Sequence, residues 1–158
     1  MTYLMTIDSG NTHVKWGLHD GSNWLEQGTI AQDKSILLQQ EWESLPTPHG
    51  IIISNVSSME TKKKLSEFLS CWKVKPRWIT PLVYQCGVRN YYADPSLLGS
   101  DRWAALIAAW NWQKKGCLVV DVGTAMTVDA LSDTGEFLGG IIVPGFKLMK
   151  ESLTTNIT

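Results

Sequence analysis

Long apolar runs are missing from this sequence. None reaches the roughly 18 residues that a membrane-spanning helix needs, so no membrane partner is expected. An excess of one charge is missing too: 14 Lys and Arg stand against 15 Asp and Glu, a formal net charge of −1. That leaves no electrostatic footprint for nucleic acid. The one basic cluster, Lys62-Lys63-Lys64, is flanked by Glu60 and Glu67 and reads as a solvated helix face. Cysteine is scarce. Cys71, Cys86 and Cys117 are odd in number and lack metal-ligand spacing, which argues against a disulfide framework and for reduced thiols in a cytoplasmic compartment. The opening MTYLMTIDSG has neither the basic start nor the apolar core of a signal peptide. No tract is of low complexity. What is present is a globular composition, 44% hydrophobic and 18% charged over 158 residues, enough for one or two compact units. Eight tryptophans are scattered along the chain, as core and interface filler rather than a platform for stacking bases.

Periodicity divides the chain into two runs of similar design. Residues 3–7 form an expected strand ending at Asp8. HVKWGLH alternates Val14, Trp16 and Leu18 against His13, Lys15 and His19, and Asp20-Gly21 signals a hairpin turn into a third strand from Trp24 to Ile30. Asp33 is placed to cap a helix carrying Leu38, Trp42 and Leu45 that must end near Pro46. Ile51 to Ile53 is a short buried strand. Ser57 with Glu60 suggests a capping box for a helix presenting Leu65, Phe68, Leu69 and Trp72, and Arg77 to Thr80 returns to strand. After the loop VRNYYADPSLLGSDRW comes a helix with Trp103, Leu106, Ile107 and Trp110 on one face, Lys114 and Lys115 in its last turn and Gly116 ending it. The pattern then restarts: Cys117 to Val120 as a buried strand, Met126 to Leu131, Phe137 to Val143, and the start of a helix after Pro144-Gly145. The expected fold class is α/β, with two halves built on mixed sheets with flanking helices. The first is residues 1–116, including the loop and linking helix. The second is 117–158, incomplete.

The chemistry-bearing residues sit at equivalent places in the two halves. DSGNT at Asp8 and DVGTA at Asp121 both place Asp-x-Gly at the end of a strand. Such a turn is either a tight hairpin or a phosphate cradle. In a cradle, glycine lets backbone N–H groups approach a phosphate, Asn11, Thr12 and Thr124 add donors, and the Asp holds a charge-neutralising cation, usually through water. Lys15 lies within reach of a terminal phosphate. GGIIVPG, from Gly139 to Gly145, is a bulge and a turn or a surface that a flat purine approaches closely. In LGSDRW, Asp101 is a helix cap or a carboxylate that takes a proton from a substrate hydroxyl attacking a γ-phosphorus. Arg102 is half of an ion pair or a fork for a carboxylate or phosphate.

On DSGNTHVKWG, NYYADPSLLGSDRWAALIAA, VVDVGTAMTVDAL and GEFLGGIIVPGFKLMKESL, which span the chain almost from end to end, the sequence resembles the type III pantothenate kinases. These are a branch of the actin-like ATPase superfamily that includes acetate and sugar kinases. Asp-x-Gly alone belongs to the whole superfamily. LGSDRW between the two turns, followed by GGIIVPG, is far more specific. The resemblance implies two ribonuclease-H-like halves and ATP-dependent phosphorylation of the terminal hydroxyl of pantothenate to 4'-phosphopantothenate, the first step of coenzyme A biosynthesis. It implies that Asp8, Ser9, Gly10, Asn11, Thr12, His13, Val14 and Lys15 form the first ATP phosphate loop, with Thr124 a second ATP contact and Asp8 a water-mediated Mg²⁺ ligand. Asp101 is then the proton acceptor, and Tyr92, Gly99, Ser100, Asp101 and Arg102 form the pantothenate site. Asp121 is the ligand of a monovalent cation, K⁺ or NH₄⁺, and GGIIVPG faces the adenosine. A cytoplasmic homodimer, with the pantothenate pocket near the subunit boundary, is implied as well.

Chains of that family continue beyond the point where this one stops. The expectation is therefore a C-terminally truncated second half whose apolar strands need covering, and which alone oligomerises and shows little kinase activity. Two other functions stay open on sequence: a superfamily phosphotransferase with a different small acceptor, and a non-catalytic nucleotide-binding accessory regulator of transcription.

Overall fold

The computed structural model describes residues 2–156. Thr158, where the sequence stops, lies outside the described residues, as do Met1 and Ile157. Contacts divide the chain into two units, Met1–Ile79 and Thr80–Thr158.

In the first unit three strands, β1 (Leu4–Ser9), β2 (His13–His19) and β3 (Trp24–Ala31), form an antiparallel meander. A 3₁₀ turn (Gln32–Leu37) leads into α1 (Leu38–Glu43), and β4 (Gly50–Asn55) returns parallel to β1. Next come α2 (Met59–Leu69) and β5 (Arg77–Trp78), giving the sheet order β3-β2-β1-β4-β5. The alternation in β2 holds: Val14, Trp16 and Leu18 are buried while His13 and Lys15 are exposed. These residues join Met5, Ile7, Ile51, Ile53, Leu65 and Leu69 in one core. Three tryptophans complete it. Trp42 stands edge-on to Trp16 at 6.3 Å and stacks on Trp72 at 5.6 Å, geometries that suit the ring quadrupole.

Two caps differ from expectation. Asp33 caps nothing: the 3₁₀ turn begins one residue earlier, and Ala31 holds its cap position without a side-chain bond. For α2 the cap is Ser58, not Ser57; Ser58 Oγ accepts from the Thr61 N–H at 3.2 Å. The one-residue shift turns Glu60 away from the cap and into an i,i+4 ion pair with Lys64 at 2.8 Å.

The second unit comprises β6 (Tyr84–Gln85), β7 (Val88–Asn90), α3 (Ser100–Gln113), β8 (Cys117–Val122), β9 (Ala125–Leu131), β10 (Glu136–Pro144) and α4 (Phe146–Asn156). Its sheet runs β6-β7-β10-β9-β8. Residues 80–116, expected with the first half, therefore pack in the second. β7 pairs parallel to β10, and the α3 side chains Trp103 and Leu106 are buried with Val88, Leu131 and Phe137. Helix α3 ends at Lys114, which takes the left-handed position at φ 49°, two residues before the expected Gly116. Gly116 is favoured for another reason: a Cβ there would stand 2.9 Å from Asp133 Oδ1 and 3.1 Å from Leu131 O.

Strand β8 was expected to be buried and is not. Leu118, Val120 and Val122 are 68%, 54% and 52% exposed. Among the described residues β8 pairs with β9 alone, whereas its counterpart β1 lies between β2 and β4. No described helix is long and apolar enough to cross a membrane.

Candidate functional site

The two Asp-x-Gly turns are similar but not identical. In the first unit β1 and β2 are joined by Gly10 to Thr12, and the Gly10 N–H donates to His13 O at 3.0 Å. Asp8 pairs in register with Lys15 across the strands. In the second unit only Gly123 and Thr124 separate β8 from β9, and the Gly123 N–H donates to Ala125 O at 2.9 Å. Asp121 pairs with Thr127. The second turn is thus one residue shorter, and a hydroxyl stands where the first has a lysine. Asn11, Thr12, His13, Lys15, Asp121 and Thr124 are all exposed, while Ser9 and Val14 are buried beneath the first turn.

Each turn is held by a residue the sequence reading did not single out as a turn support. Gln32 clamps the first: its backbone N–H donates to Thr12 O at 2.8 Å, and its side-chain amide donates to Gly10 O at 2.8 Å and Ser9 Oγ at 3.3 Å. Nothing in the local sequence marks Gln32 for this. Gly145 supports the second: its N–H donates to Thr124 O at 3.0 Å. A Cβ there would overlap Gly123 O and stand 2.7 Å from Thr124 O. The GGIIVPG glycines thus have local causes. Gly139 adopts φ +118° where the register slips between Phe137 and Gly139, and Gly145 seats the turn.

The residues of the loop before α3 lie within the second unit. The loop is fixed by its own polar groups. Asn90 Oδ1 accepts from the Tyr92 N–H at 3.0 Å, and Asp94 Oδ1 accepts from the Ser96 N–H at 2.9 Å. Gly99 holds the cap position of α3, so Asp101 lies inside the first turn rather than at the cap. Its Oδ1 accepts from the Arg102 N–H at 2.7 Å, and a carboxylate in a first turn is favoured by the helix dipole. Asp101 is half-buried and Ser100 is buried.

Arg102 is 9% exposed and Asp129, on β9, 1%. Arg102 Nε donates to Asp129 Oδ2 at 3.0 Å and Oδ1 at 3.2 Å, and Nη2 donates to Oδ1 as well. The guanidinium lies 5.9 Å from the Phe137 ring, against which Tyr92 packs at 5.4 Å. Asp129 holds Arg102 protonated above even its usual range, against the opposing cost of burial, and Tyr92 adds to the effect. Asp129 went unnoticed in the sequence. Its signal was a lone carboxylate inside the apolar run MTVDAL, at a position the strand's alternation turns inward.

No group of three or more His, Cys, Asp or Glu among the described residues could hold a metal by itself. Asp8 and Asp121 are oxygen donors at strand ends beside polar turns, the donor type that suits a hydrated hard cation bridged to phosphate.

The likeness to solved structures includes a putative 2-dehydro-3-deoxygalactonokinase from Sinorhizobium meliloti at TM-score 0.58 and 13% identity, covering 98% of this chain and 57% of that one. At that identity the likeness concerns the fold. Among curated proteins, the type III pantothenate kinase of Nitrosospira multiformis is 60% identical over 98% of this chain and 59% of its own length. That of Nitrosomonas eutropha is 54% identical over 96% of this chain and 60% of its own. The chain thus spans about 60% of the length of these curated relatives. The family model described as type III pantothenate kinase matches residues 4–158, and with LGSDRW opening α3 the chain belongs to the type III pantothenate kinase family.

Proposed function

We propose that the protein carrying this chain transfers the γ-phosphoryl group of ATP to the terminal hydroxyl of pantothenate, giving 4'-phosphopantothenate and ADP. The observation that carries this reading is the adjacency of Asp101 and Arg102 on the first turn of α3. One is a half-buried carboxylate, the other a guanidinium fixed by a buried partner. Arg102 binds the pantothenate carboxylate, with Tyr92, Gly99 and Ser100 completing the subsite. Asp101 takes the proton from the hydroxyl as its oxygen attacks the γ-phosphorus. The bond from that phosphorus to the β–γ bridging oxygen breaks, and ADP leaves with the electron pair.

Residues Asp8 to Lys15 form one phosphate loop, where backbone N–H groups and the Lys15 ammonium meet the negative charge, and Thr124 adds a second contact. Mg²⁺ bound with ATP would supply charge neutralisation at the phosphates; Asp8 would hold it and Asp121 would hold K⁺ or NH₄⁺. The active state is a homodimer. Cys71, Cys86 and Cys117 are free thiols, which supports a cytoplasmic setting.

The test is ADP release by the full-length protein with and without pantothenate. Release that depends on pantothenate is expected. Release that ignores pantothenate, or none at all, overturns the reading.

A further inference from the structure

Arg102 is assigned to the acceptor's carboxylate, yet it is buried and already bound to another carboxylate. A guanidinium carries five N–H donors in a planar fork. Asp129 takes the edge formed by Nε and Nη2. The other donors, on Nη1 and the second N–H of Nη2, are shared between Tyr92, which also interacts with the guanidinium, and an incoming acceptor. The flat face is fixed as well, since the ring of Phe137 stands 5.9 Å from the guanidinium carbon. Gly140 completes the seat: a side chain there would stand 2.8 Å from Arg102 Nη2 and overlap the Asp129 carboxylate.

A long arginine side chain left to itself samples many rotamers, and ordering it on binding costs affinity. Here that ordering is done before the ligand arrives. Asp129 also cancels the charge of a buried guanidinium that would otherwise be unpaired. From this we infer that Asp129 is a positioning residue for the acceptor subsite. It presents the remaining edge of Arg102 in one orientation, so that an acceptor bearing a carboxylate is bound in register with Asp101. The inference rests on the pantothenate kinase reading given above. It adds a residue on β9, far in sequence from the loop, whose contribution is to acceptor affinity and not to ATP.

Steady-state kinetics of the full-length protein with Asp129→Asn and Asp129→Glu test this, alongside thermal midpoints. Asp129→Asn is expected to raise the KM for pantothenate about tenfold or more, the loss expected when a charge-assisted contact is disordered. The KM for ATP should stay within about twofold. Asp129→Glu, which keeps the charge but lengthens the arm, is expected to fall between. A folded Asp129→Asn protein with unchanged pantothenate KM overturns the proposal. So does one in which both KM values move together.

Should neither variant fold, the unsubstituted protein decides by NMR of its arginine side chains. The Arg102 Nε–H is expected to be protected from solvent exchange before pantothenate is added, unlike those of the exposed Arg77 and Arg89. Exchange as fast as theirs overturns the proposal. An unsubstituted protein that shows no pantothenate-dependent ADP release overturns the functional reading instead, and does so before any substitution is made.

Discussion

A Cβ on Gly140 would overlap the Asp129 carboxylate and stand 2.6 Å from Val128 O. Two partners must give way at once, one a buried ion pair and the other backbone. Gly140→Ala is therefore expected to destabilise the second unit by about 1–3 kcal/mol, the usual cost of overpacking. Thermal or denaturant unfolding measures it. An unchanged midpoint would mean that the β9–β10 pairing relaxes freely around the pair.

Gln32 offers a test of the first turn without substituting any proposed phosphate contact. Gln32→Ala removes two side-chain hydrogen bonds, to Gly10 O and Ser9 Oγ, and keeps the backbone bond to Thr12. A loss of about 0.5–1.5 kcal/mol per bond is expected, together with a raised KM for ATP and an unaltered KM for pantothenate. If the ATP KM does not move in a folded variant, the turn does not need this clamp.

Tyr91 Oη donates to Glu136 Oε1 at 2.7 Å. This bond holds the Tyr91 hydroxyl above its ordinary 10.0 and, with a further bond from Thr134, the Glu136 carboxyl below its ordinary 4.5. The signs are opposite in consequence. Tyr91's contribution to stability is full below pH 10.0 and is lost as pH rises through its raised folded value. Glu136's is present above pH 4.5 and is lost as pH falls through its lowered folded value. Ultraviolet titration of tyrosinate should show one tyrosine ionising late, and Glu136→Gln should bring it back toward the others. No late-ionising tyrosine in the unsubstituted protein would remove the pair.

Asp121 is exposed beside Gly123 and Thr124. Under the proposed assignment a monovalent cation there would offset phosphate repulsion that Mg²⁺ leaves over, so turnover should rise when Na⁺ is replaced by K⁺ or NH₄⁺ at constant ionic strength. Asp121→Asn should flatten that dependence. Equal rates in all three salts count against the assignment.

Much of the fold was legible because the first half follows simple periods. Val14, Trp16 and Leu18 alternate, and Leu65 and Leu69 repeat at helical spacing, so strand and helix existence followed directly. Cap positions were less legible. Ser57 and Ser58 are adjacent and chemically alike, and only the backbone path chooses between them. The exposed face of β8 was hidden for a different reason: LVVDV reads as buried whatever covers it, because composition reports what a strand needs and not what lies beside it. The contact division at Thr80 was not legible because β7 joins β10 in parallel across more than forty residues, a pairing no local pattern encodes. Among the candidate residues, Asp8 and Asp121 stood out by their matching Asp-x-Gly turns and Asp101 by its place in LGSDRW, while Asp129 and Gln32 act through contacts distant in sequence.

The most direct test of the account is phosphorus NMR of the full-length protein incubated with Mg²⁺, ATP and pantothenate, beside the same protein carrying Asp101→Asn. A new phosphomonoester on the terminal methylene of pantothenate is expected, forming about 10²–10⁴ times more slowly with the variant at similar thermal stability. Formation of that ester at an undiminished rate by folded Asp101→Asn protein, or of inorganic phosphate alone by the unsubstituted protein, would contradict it.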